Sequence, residues 1–269
     1  MKKMFVALLL ALMTVSTSAA AQERREVTIP VALKNGTREV KALIYTPAHG
    51  KPAPAVLVLH AGSPDGLHEY ADEDYARALA KEGFVAVVPD YGAFDGQQYW
   101  GPPMRSTVAL VAAKVKDMPE VGGKPVGTVG FSLGVMGMMA STITPAIKAV
   151  VVYYGGYDGY AAKHLPRPPT PLVMVPLDDA SAEKIAAPVL LLHGEKDDEI
   201  PASQAKEMHE KLKRMGKTSE LVIYPDAYHR FDRGPRGNMD GKYVYQLDGS
   251  ARDDAFRRTI AFLHTHLGR

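Results

Sequence analysis

The chain has 269 residues, which suits one α/β domain, and 46% of them are apolar, which excludes a disordered chain. Its 32 basic residues are nearly balanced by 30 acidic ones, and the basic residues form no stripe, so we expect no nucleic-acid partner. Because it has no cysteine, its stability must come from an ordinary hydrophobic core without disulfides.

The N-terminus has the features of an export signal. Two lysines precede the apolar segment Phe5–Met13, and an A-x-A cleavage site ends at Ala21. The apolar segment is too short to span a bilayer. We therefore predict a signal peptide over residues 1–21 and a mature domain over residues 22–269, periplasmic or secreted, without stable membrane insertion.

The mature chain opens with a hairpin and continues with buried strands. The Asn35-Gly36 turn separates the predicted strands Glu26–Leu33 and Arg38–Tyr45. Continuous apolar runs then follow, which are typical of strands buried on both faces of a parallel sheet. These strands are Ala55–Leu59, Phe84–Val88, Val126–Val129, Ile147–Tyr154, Val189–Leu192 and Leu221–Tyr224.

Helices are predicted between these strands. They are Tyr70–Glu82, Thr107–Val115, one that opens at Met136, Ser203–Lys213 and Arg252–Leu267. The alternation predicts a doubly wound α/β sheet, in which ligands bind beyond the carboxyl ends of the strands. Two irregular segments, Gly92–Pro103 and Tyr157–Pro188, are hypothesised from their position to shape the pocket.

A G-x-S-x-G sequence spans residues 130–134, between a predicted strand and a predicted helix. A sharp strand-to-helix turn projects its serine, Ser132, and crowds the flanking positions, which must therefore be small. A serine hydroxyl is a poor nucleophile until a base takes its proton. The sequence alone also fits an ordinary glycine-rich turn, so the interpretation depends on partners elsewhere.

Residues that could act with Ser132 follow two later strands. On such a sheet the expected order is serine, acid, histidine. The candidate acids Asp197, Asp198 and Glu199 follow one strand, and the candidate base His229 follows the next. All of them lie past strand ends, on the side of the sheet where Ser132 is expected.

Other histidines fit different positions. His193, at a strand end, is expected to make structural hydrogen bonds, and His209 lies on a charged helix. His264 and His266 are two residues apart on a helix and face different ways, so they make a poor metal pair. No H-E-x-x-H sequence occurs. We therefore predict neither a metal nor a cofactor.

The chain resembles the dienelactone hydrolase family of α/β hydrolases from the first hairpin to the last helix. Three sequences carry the resemblance: the G-x-S-x-G turn, G-x-x-D-x-x-I-P at Gly194–Pro201, and Y-P-x-A-x-H-x-F at Tyr224–Phe231. The resemblance implies an α/β-hydrolase fold with a mostly parallel sheet, helices on both faces and an N-terminal antiparallel hairpin. It also implies Ser132 as nucleophile, Asp197 as acid and His229 as base.

The chain departs from the family at two positions. Ser132 stands where the namesake enzymes carry cysteine, and Ala61 stands where they place a glutamate. Both departures favour a serine esterase over an enzyme that acts on dienelactone. Arg233 matches an arginine with which the namesake enzymes hold a substrate carboxylate, so we hypothesise that it favours esters with a nearby acid group. The alternative for Arg233 is a solvated loop residue.

The resulting prediction is an exported serine hydrolase that cleaves a small-molecule carboxylic ester through an acyl-enzyme. Two backbone amides should hold the oxyanion: that of Leu133 and, by register with related hydrolases, that of Gly62, with Ala61 as the alternative. The protein is expected to be a monomer or homodimer. The alternatives are a peptidase or acyltransferase with the same triad, or a non-catalytic binding protein, against which the three intact residues argue.

Overall fold

The structure is a computed structural model that describes residues 23–33, 36–62, 75–94, 97–98, 102–157, 177–234 and 244–268. The strands are β1 Glu23–Leu33, β2 Gly36–Thr46, β3 Ala55–Leu59, β4 Val85–Pro89, β5 Ala93–Phe94, β6 Gln97–Gln98, β7 Val126–Phe131, β8 Ile147–Tyr153, β9 Val189–Gly194 and β10 Ser219–Tyr224. The helices are α1 Tyr75–Lys81, α2 Pro102–Lys116, α3 Met136–Ser141, α4 Asp179–Ala182, α5 Ser203–Arg214 and α6 Gly249–Leu267, with a 3₁₀ turn at Ser132–Val135.

Within these residues, eight strands form one sheet in the order β1-β2-β4-β3-β7-β8-β9-β10. The β1–β2 and β2–β4 pairs are antiparallel, and the other neighbouring pairs are parallel. Strands β5 and β6 form a separate antiparallel pair. The predicted parallel sheet with an N-terminal antiparallel hairpin is confirmed, and the carboxyl ends of its parallel strands lie along one edge.

Both faces of the sheet are covered by helices. In β3, Leu57 and Leu59 belong to a hydrophobic cluster with α2, α3 and α5, whereas Val56 and Val58 belong to a cluster with α1 and α6. Successive side chains of a strand point to opposite faces, so a strand buried on both sides must be apolar throughout. This explains the uninterrupted apolar runs in the sequence.

Some helix boundaries differ from the predictions. Helix α2 begins at Pro102 rather than Thr107, because proline is tolerated in the first turn of a helix, where its missing N–H has no intrahelical partner. The predicted end of the preceding loop at Pro103 is therefore wrong. Helix α6 begins at Gly249, where the Asp248 carboxylate caps it by accepting a hydrogen bond from the backbone of Ala251 at 3.0 Å.

The segment predicted as irregular, 157–188, is described in part. Residues 158–176 lie outside the described residues, and α4 occupies Asp179–Ala182. The Asp178 carboxylate caps this helix by accepting from the Ser181 N–H at 2.8 Å. This helix is not predicted from the sequence, because its four residues are too few to show a helical periodicity.

The N-terminal prediction lies outside the described residues, because these begin at residue 23. The signal peptide over residues 1–21 therefore stays a prediction. In the part of the chain that the structure describes, the helices are all too short or too polar to cross a membrane.

Candidate active site

Ser132 occupies a sharp turn between β7 and α3. Its φ is 51°, in the left-handed region that few non-glycine residues adopt. A Cβ on Gly130 would fall on the backbone oxygen of Gly134, and a Cβ on Gly134 would fall on the backbone oxygen of Leu59. Both flanking positions therefore require glycine, and the turn holds Ser132 at the carboxyl edge of the sheet.

His229 lies in the loop after β10 and contacts Ser132 and Asp197. Its Nε2 is 3.2 Å from Ser132 Oγ, and its Nδ1 is 2.7 Å from Asp197 Oδ2. Because a carboxylate accepts hydrogen bonds, the network assigns the imidazole proton to Nδ1. Nε2 is then able to accept the proton of the Ser132 hydroxyl. The structure thus brings together the three residues that the resemblance implied.

Asp197 is held by hydrogen bonds to both carboxylate oxygens. Its fully buried side chain accepts from the N–H groups of Glu199 at 3.0 Å and Ile200 at 2.7 Å through Oδ1. Its Oδ2 lies 3.1 Å from His193 Nε2 as well as facing His229. Burial alone would raise the pKa of Asp197, but the charge of His229 and hydrogen bonds from both histidines hold that pKa well below its usual range.

The two adjacent acids take different positions. Asp198 Oδ2 accepts from the Val244 N–H at 3.0 Å, away from the imidazole. Glu199 Oε2 accepts from the Tyr245 hydroxyl at 2.5 Å and lies 3.7 Å from His229 Nε2. The geometry therefore favours Asp197 as the acid at Nδ1, while Glu199 stands at the opposite edge of the ring.

The electrostatic surroundings of His229 favour its charged form. Burial would lower the pKa of His229, but the carboxylates of Asp197 and Glu199 and the hydrogen bond at Nδ1 raise it above the ordinary value of 6.5. Arg230 acts in the opposite direction. The imidazole therefore becomes protonated at a higher pH than that of a free histidine.

A second layer of buried groups supports His229. The ring of Tyr154 packs edge-on against the His229 ring, with centroids 4.7 Å apart, and its hydroxyl donates to Asp232 Oδ1 at 2.7 Å. Burial raises the pKa of Asp232. Among the described residues, the non-glycine residues with positive φ are Ser132, Tyr154 and Arg230. Backbone strain is thus concentrated at this site, as is common at functional sites.

His193 lies within β9, one residue before its end at Gly194 and one residue beyond the predicted end at Leu192. Its Nε2 lies 2.8 Å from the Ile200 carbonyl oxygen, which assigns the proton to Nε2. Its Nδ1 is buried without a hydrogen-bond partner in the described part of the chain. The expected structural hydrogen bonding is confirmed, and one of its partners is Asp197.

The loop after β3 lies beside the serine turn, because β3 and β7 are neighbours. The Tyr91 hydroxyl donates to the His60 carbonyl at 2.5 Å, and His60 Nδ1 donates to the Ala61 carbonyl at 2.8 Å. The C=O and N–H of a trans peptide point in opposite directions. The peptide between Ala61 and Gly62 is therefore fixed, with its N–H turned away from His60.

Arg233 packs against aromatic side chains. Its guanidinium carbon is 5.6 Å from the ring centre of Tyr75 and 6.0 Å from that of Phe131, and its Nε is 3.7 Å from Asp232 Oδ2. The Arg233 side chain is 13% exposed, so the alternative of a solvated loop residue is wrong. Its contact with a carboxylate on the acyl portion of a substrate, as in a half-ester of a dicarboxylic acid, stays a prediction.

Two tyrosines of the site, and the position of one acid in it, could not be predicted from the three motifs. Tyr154 directly follows β8, so its place at a strand end could have suggested it. Tyr245 follows no strand and belongs to none of the three motifs, so no signal pointed to it. Glu199, one of the three candidate acids, faces Nε2 of the imidazole and not Nδ1. Among the described residues, no group of three or more histidines or acids is placed to hold a metal ion.

The chain is similar to known proteins of one hydrolase family. Residues 40–267 match the sequence profile of the dienelactone hydrolase family. A Methylorubrum extorquens protein named "Putative carboxymethylenebutenolidase" is 31% identical over 235 residues, covering 81% of this chain and 75% of that protein.

Solved structures share the fold. A dienelactone hydrolase from Anabaena variabilis has a TM-score of 0.65 at 18% identity, over 91% of this chain and 99% of that one. An acylaminoacyl peptidase from Pyrococcus horikoshii has a TM-score of 0.71 at 17% identity, over 92% of this chain and 42% of that one. These structures show the α/β-hydrolase fold, and the family match and the relative show that the protein is a hydrolase. It belongs to the dienelactone hydrolase family, which confirms the resemblance seen in its sequence.

Proposed function

We propose that the protein is an exported serine hydrolase that cleaves carboxylic esters of small molecules. The observation that carries this proposal is the pair of hydrogen bonds linking Asp197, His229 and Ser132, at 2.7 and 3.2 Å. A serine within reach of a histidine, which a buried carboxylate orients in turn, is the arrangement that activates a hydroxyl. The strained turn at Ser132 also supports a nucleophile at this position.

The chemistry proceeds in two stages. In the first, His229 Nε2 takes the hydroxyl proton as Ser132 Oγ bonds to the ester carbonyl carbon. The tetrahedral intermediate then collapses, the bond to the alcohol oxygen breaks, and His229 gives the proton to that oxygen. In the second stage, a water loses a proton to Nε2 and attacks the acyl carbonyl carbon. The bond from that carbon to Ser132 Oγ then breaks, Nε2 returns the proton to Oγ, and the acid is released. Asp197 keeps the imidazole in its tautomer and stabilises the imidazolium.

The oxyanion would accept hydrogen bonds from the N–H groups of Leu133 and Gly62. The fixed peptide after Ala61 supports Gly62, because His60 already holds the carbonyl of that peptide. The N–H of Gly62 is thereby kept in one orientation, as a preorganised donor must be.

The test of the nucleophile is labelling with a fluorophosphonate probe. We expect Ser132→Ala to abolish labelling and to lower ester turnover on the order of 10⁶-fold, as in comparable triads. Ser141→Ala is the matched control, because Ser141 is also buried and lies on the helix that follows the turn. Labelling at a different serine, or full turnover by the Ser132 variant, would refute the assignment.

The alternatives with the same triad are a peptidase and an acyltransferase. A panel of p-nitrophenyl esters and short peptides, assayed with and without an acceptor alcohol, separates the three activities. Ester hydrolysis without peptide cleavage supports the esterase. Preferential peptide cleavage, or transfer of the acyl group to the alcohol, would replace it.

Export is supported only by the sequence of residues 1–21. The intact mass of protein recovered from the periplasm or medium tests it. We expect the mass of a chain that begins at Gln22. The mass of a chain that still contains Met1–Ala21 would contradict cleavage.

A further inference from the structure

The carboxylate of Glu199 is fixed at the edge of His229 that faces Ser132. Its backbone N–H donates to Asp197 Oδ1 at 3.0 Å, and its Oε2 accepts from the Tyr245 hydroxyl at 2.5 Å. The side chain is 14% exposed, and Oε2 lies 3.7 Å from His229 Nε2. Glu199 is therefore a positioned, half-buried group and not a freely moving surface acid.

Tyr245, which holds Glu199, is itself fastened to the site. It forms a parallel β-bridge with His229, and the two ring centroids are 6.1 Å apart. The preceding residue, Val244, donates its N–H to Asp198 at 3.0 Å. The orientation of the Glu199 carboxylate is thus set by the loops that carry the acid and the base.

The position of Glu199 corresponds to the alcohol portion of an ester. To give its proton to the leaving oxygen, His229 Nε2 must come within about 3 Å of that oxygen. Because Glu199 Oε2 is 3.7 Å from Nε2, the leaving oxygen and the carboxylate oxygen are at most about 7 Å apart. A charge carried two or three bonds beyond the leaving oxygen, on an alcohol chain directed toward Glu199, would therefore interact with its carboxylate.

The other charged groups that act on His229 are placed differently. Asp197 contacts Nδ1 and is fully buried. The Arg230 guanidinium carbon lies 5.9 Å from the ring centre of Tyr245. Glu199 differs from both because its carboxylate faces Nε2, where the substrate must react.

We infer that Glu199 determines specificity by the charge of the alcohol, favouring esters whose alcohol portion carries a cationic group and disfavouring those with an anionic one. This inference rests on the proposed function, because it takes Ser132 as nucleophile and His229 as general acid. Unit charges about 6 Å apart at a partly solvated site change kcat/KM by roughly threefold to a hundredfold, and we expect about tenfold.

The experiment compares three esters that share the acyl group preferred among the p-nitrophenyl esters. Their alcohols are choline, its neutral isostere with a tert-butyl group in place of trimethylammonium, and β-hydroxypropionate. The values of kcat/KM are measured for wild type, Glu199→Gln and Glu195→Gln. Glu195 is the matched control, because its exposed carboxylate pairs with Lys206 on the surface at 2.8 Å.

We expect wild type to prefer the cationic ester over its neutral isostere and to act least well on the anionic ester. The ratio of cationic to neutral kcat/KM should fall about tenfold in Glu199→Gln. It should stay at the wild-type value in Glu195→Gln. A ratio that Glu199→Gln leaves unchanged, while Ser132→Ala abolishes turnover, overturns the inference alone. Turnover of all three esters by Ser132→Ala overturns the proposed function instead.

Two further measurements test Glu199 even if Glu199→Gln does not fold. In wild type, added salt screens charges at partly exposed sites, so the preference for the cationic ester should shrink as ionic strength rises. Glu199→Asp keeps the charge and should keep the direction of the preference. A cationic preference that is absent at low salt, or that salt does not alter, counts against Glu199.

Discussion

The two halves of the site are positioned by different physical means. Ser132 depends on backbone crowding, because Gly130 and Gly134 leave no room for a Cβ. Asp197 depends on hydrogen bonds, since its carboxylate accepts from two backbone N–H groups and contacts two histidines. A steric requirement leaves a glycine in the sequence, whereas a hydrogen-bond arrangement leaves only one acid among several candidates. Changes to the two halves should therefore have different effects on activity and stability.

Removal of the charge of Asp197 tests the hydrogen-bonded half. In Asp197→Asn the amide oxygen would face the N–H groups of Glu199 and Ile200, so the amide NH2 would face His229 Nδ1. It would donate to Nδ1 and favour the wrong tautomer of His229, so kcat should fall on the order of 10⁴-fold. Asp198→Asn is the control, because Asp198 faces the Val244 backbone. Hydrolysis of a p-nitrophenyl ester measures both variants. A crippled Asp198 variant beside an active Asp197 variant would show that the acid is one residue further on.

A methyl group at Gly134 tests the steric half. In Gly134→Ala the new Cβ must displace the backbone at Leu59 or the turn itself. We expect a loss of about 1–3 kcal/mol in the free energy of unfolding and, because Ser132 shifts, roughly 10²-fold in kcat. Gly249→Ala is the control, because nothing lies within 4 Å of a Cβ there. Wild-type stability and activity in Gly134→Ala would show that crowding does not set the turn.

The same contrast explains how much could be predicted from the sequence. The buried strands and the serine turn were located, because apolar runs and paired glycines follow directly from packing. The choice among Asp197, Asp198 and Glu199 needed the family resemblance, because loop hydrogen bonds leave no periodic signal. The place of Glu199 at Nε2 could not be predicted, since it depends on Tyr245, 46 residues away in the chain.

His193 tests whether the hydrogen bonds around Asp197 contribute to stability. The variant His193→Phe keeps a buried ring but leaves the Ile200 carbonyl and Asp197 Oδ2 without this donor. Loss of a buried hydrogen-bond partner costs about 1–3 kcal/mol, measured as the free energy of unfolding in urea. His209→Phe is the control, because His209 is half-buried and bonds to Ser219 away from the site. Equal losses in the free energy of unfolding of the two variants would show that His193 contributes no more to stability than His209.

The smallest expected effect concerns pH and compares the two edges of the His229 ring. His229 must be neutral to accept the Ser132 proton, so activity falls as pH drops through its pKa. The carboxylate of Glu199 helps to raise the pKa of His229, because it stabilises the imidazolium. Glu199→Gln removes that charge while Asp197 and Arg230 remain. The pKa of His229 should therefore be lower in the variant.

The measurement is the acid limb of kcat/KM for a neutral ester. With a lower pKa, a larger fraction of His229 is neutral at acidic pH, so Glu199→Gln should retain a larger share of its own plateau activity there. Glu195→Gln should leave the limb in place, because Glu195 pairs with Lys206 on the surface. If the acid limb of Glu199→Gln lies at the wild-type pH, or at a higher pH, then the carboxylate of Glu199 does not raise the pKa of His229.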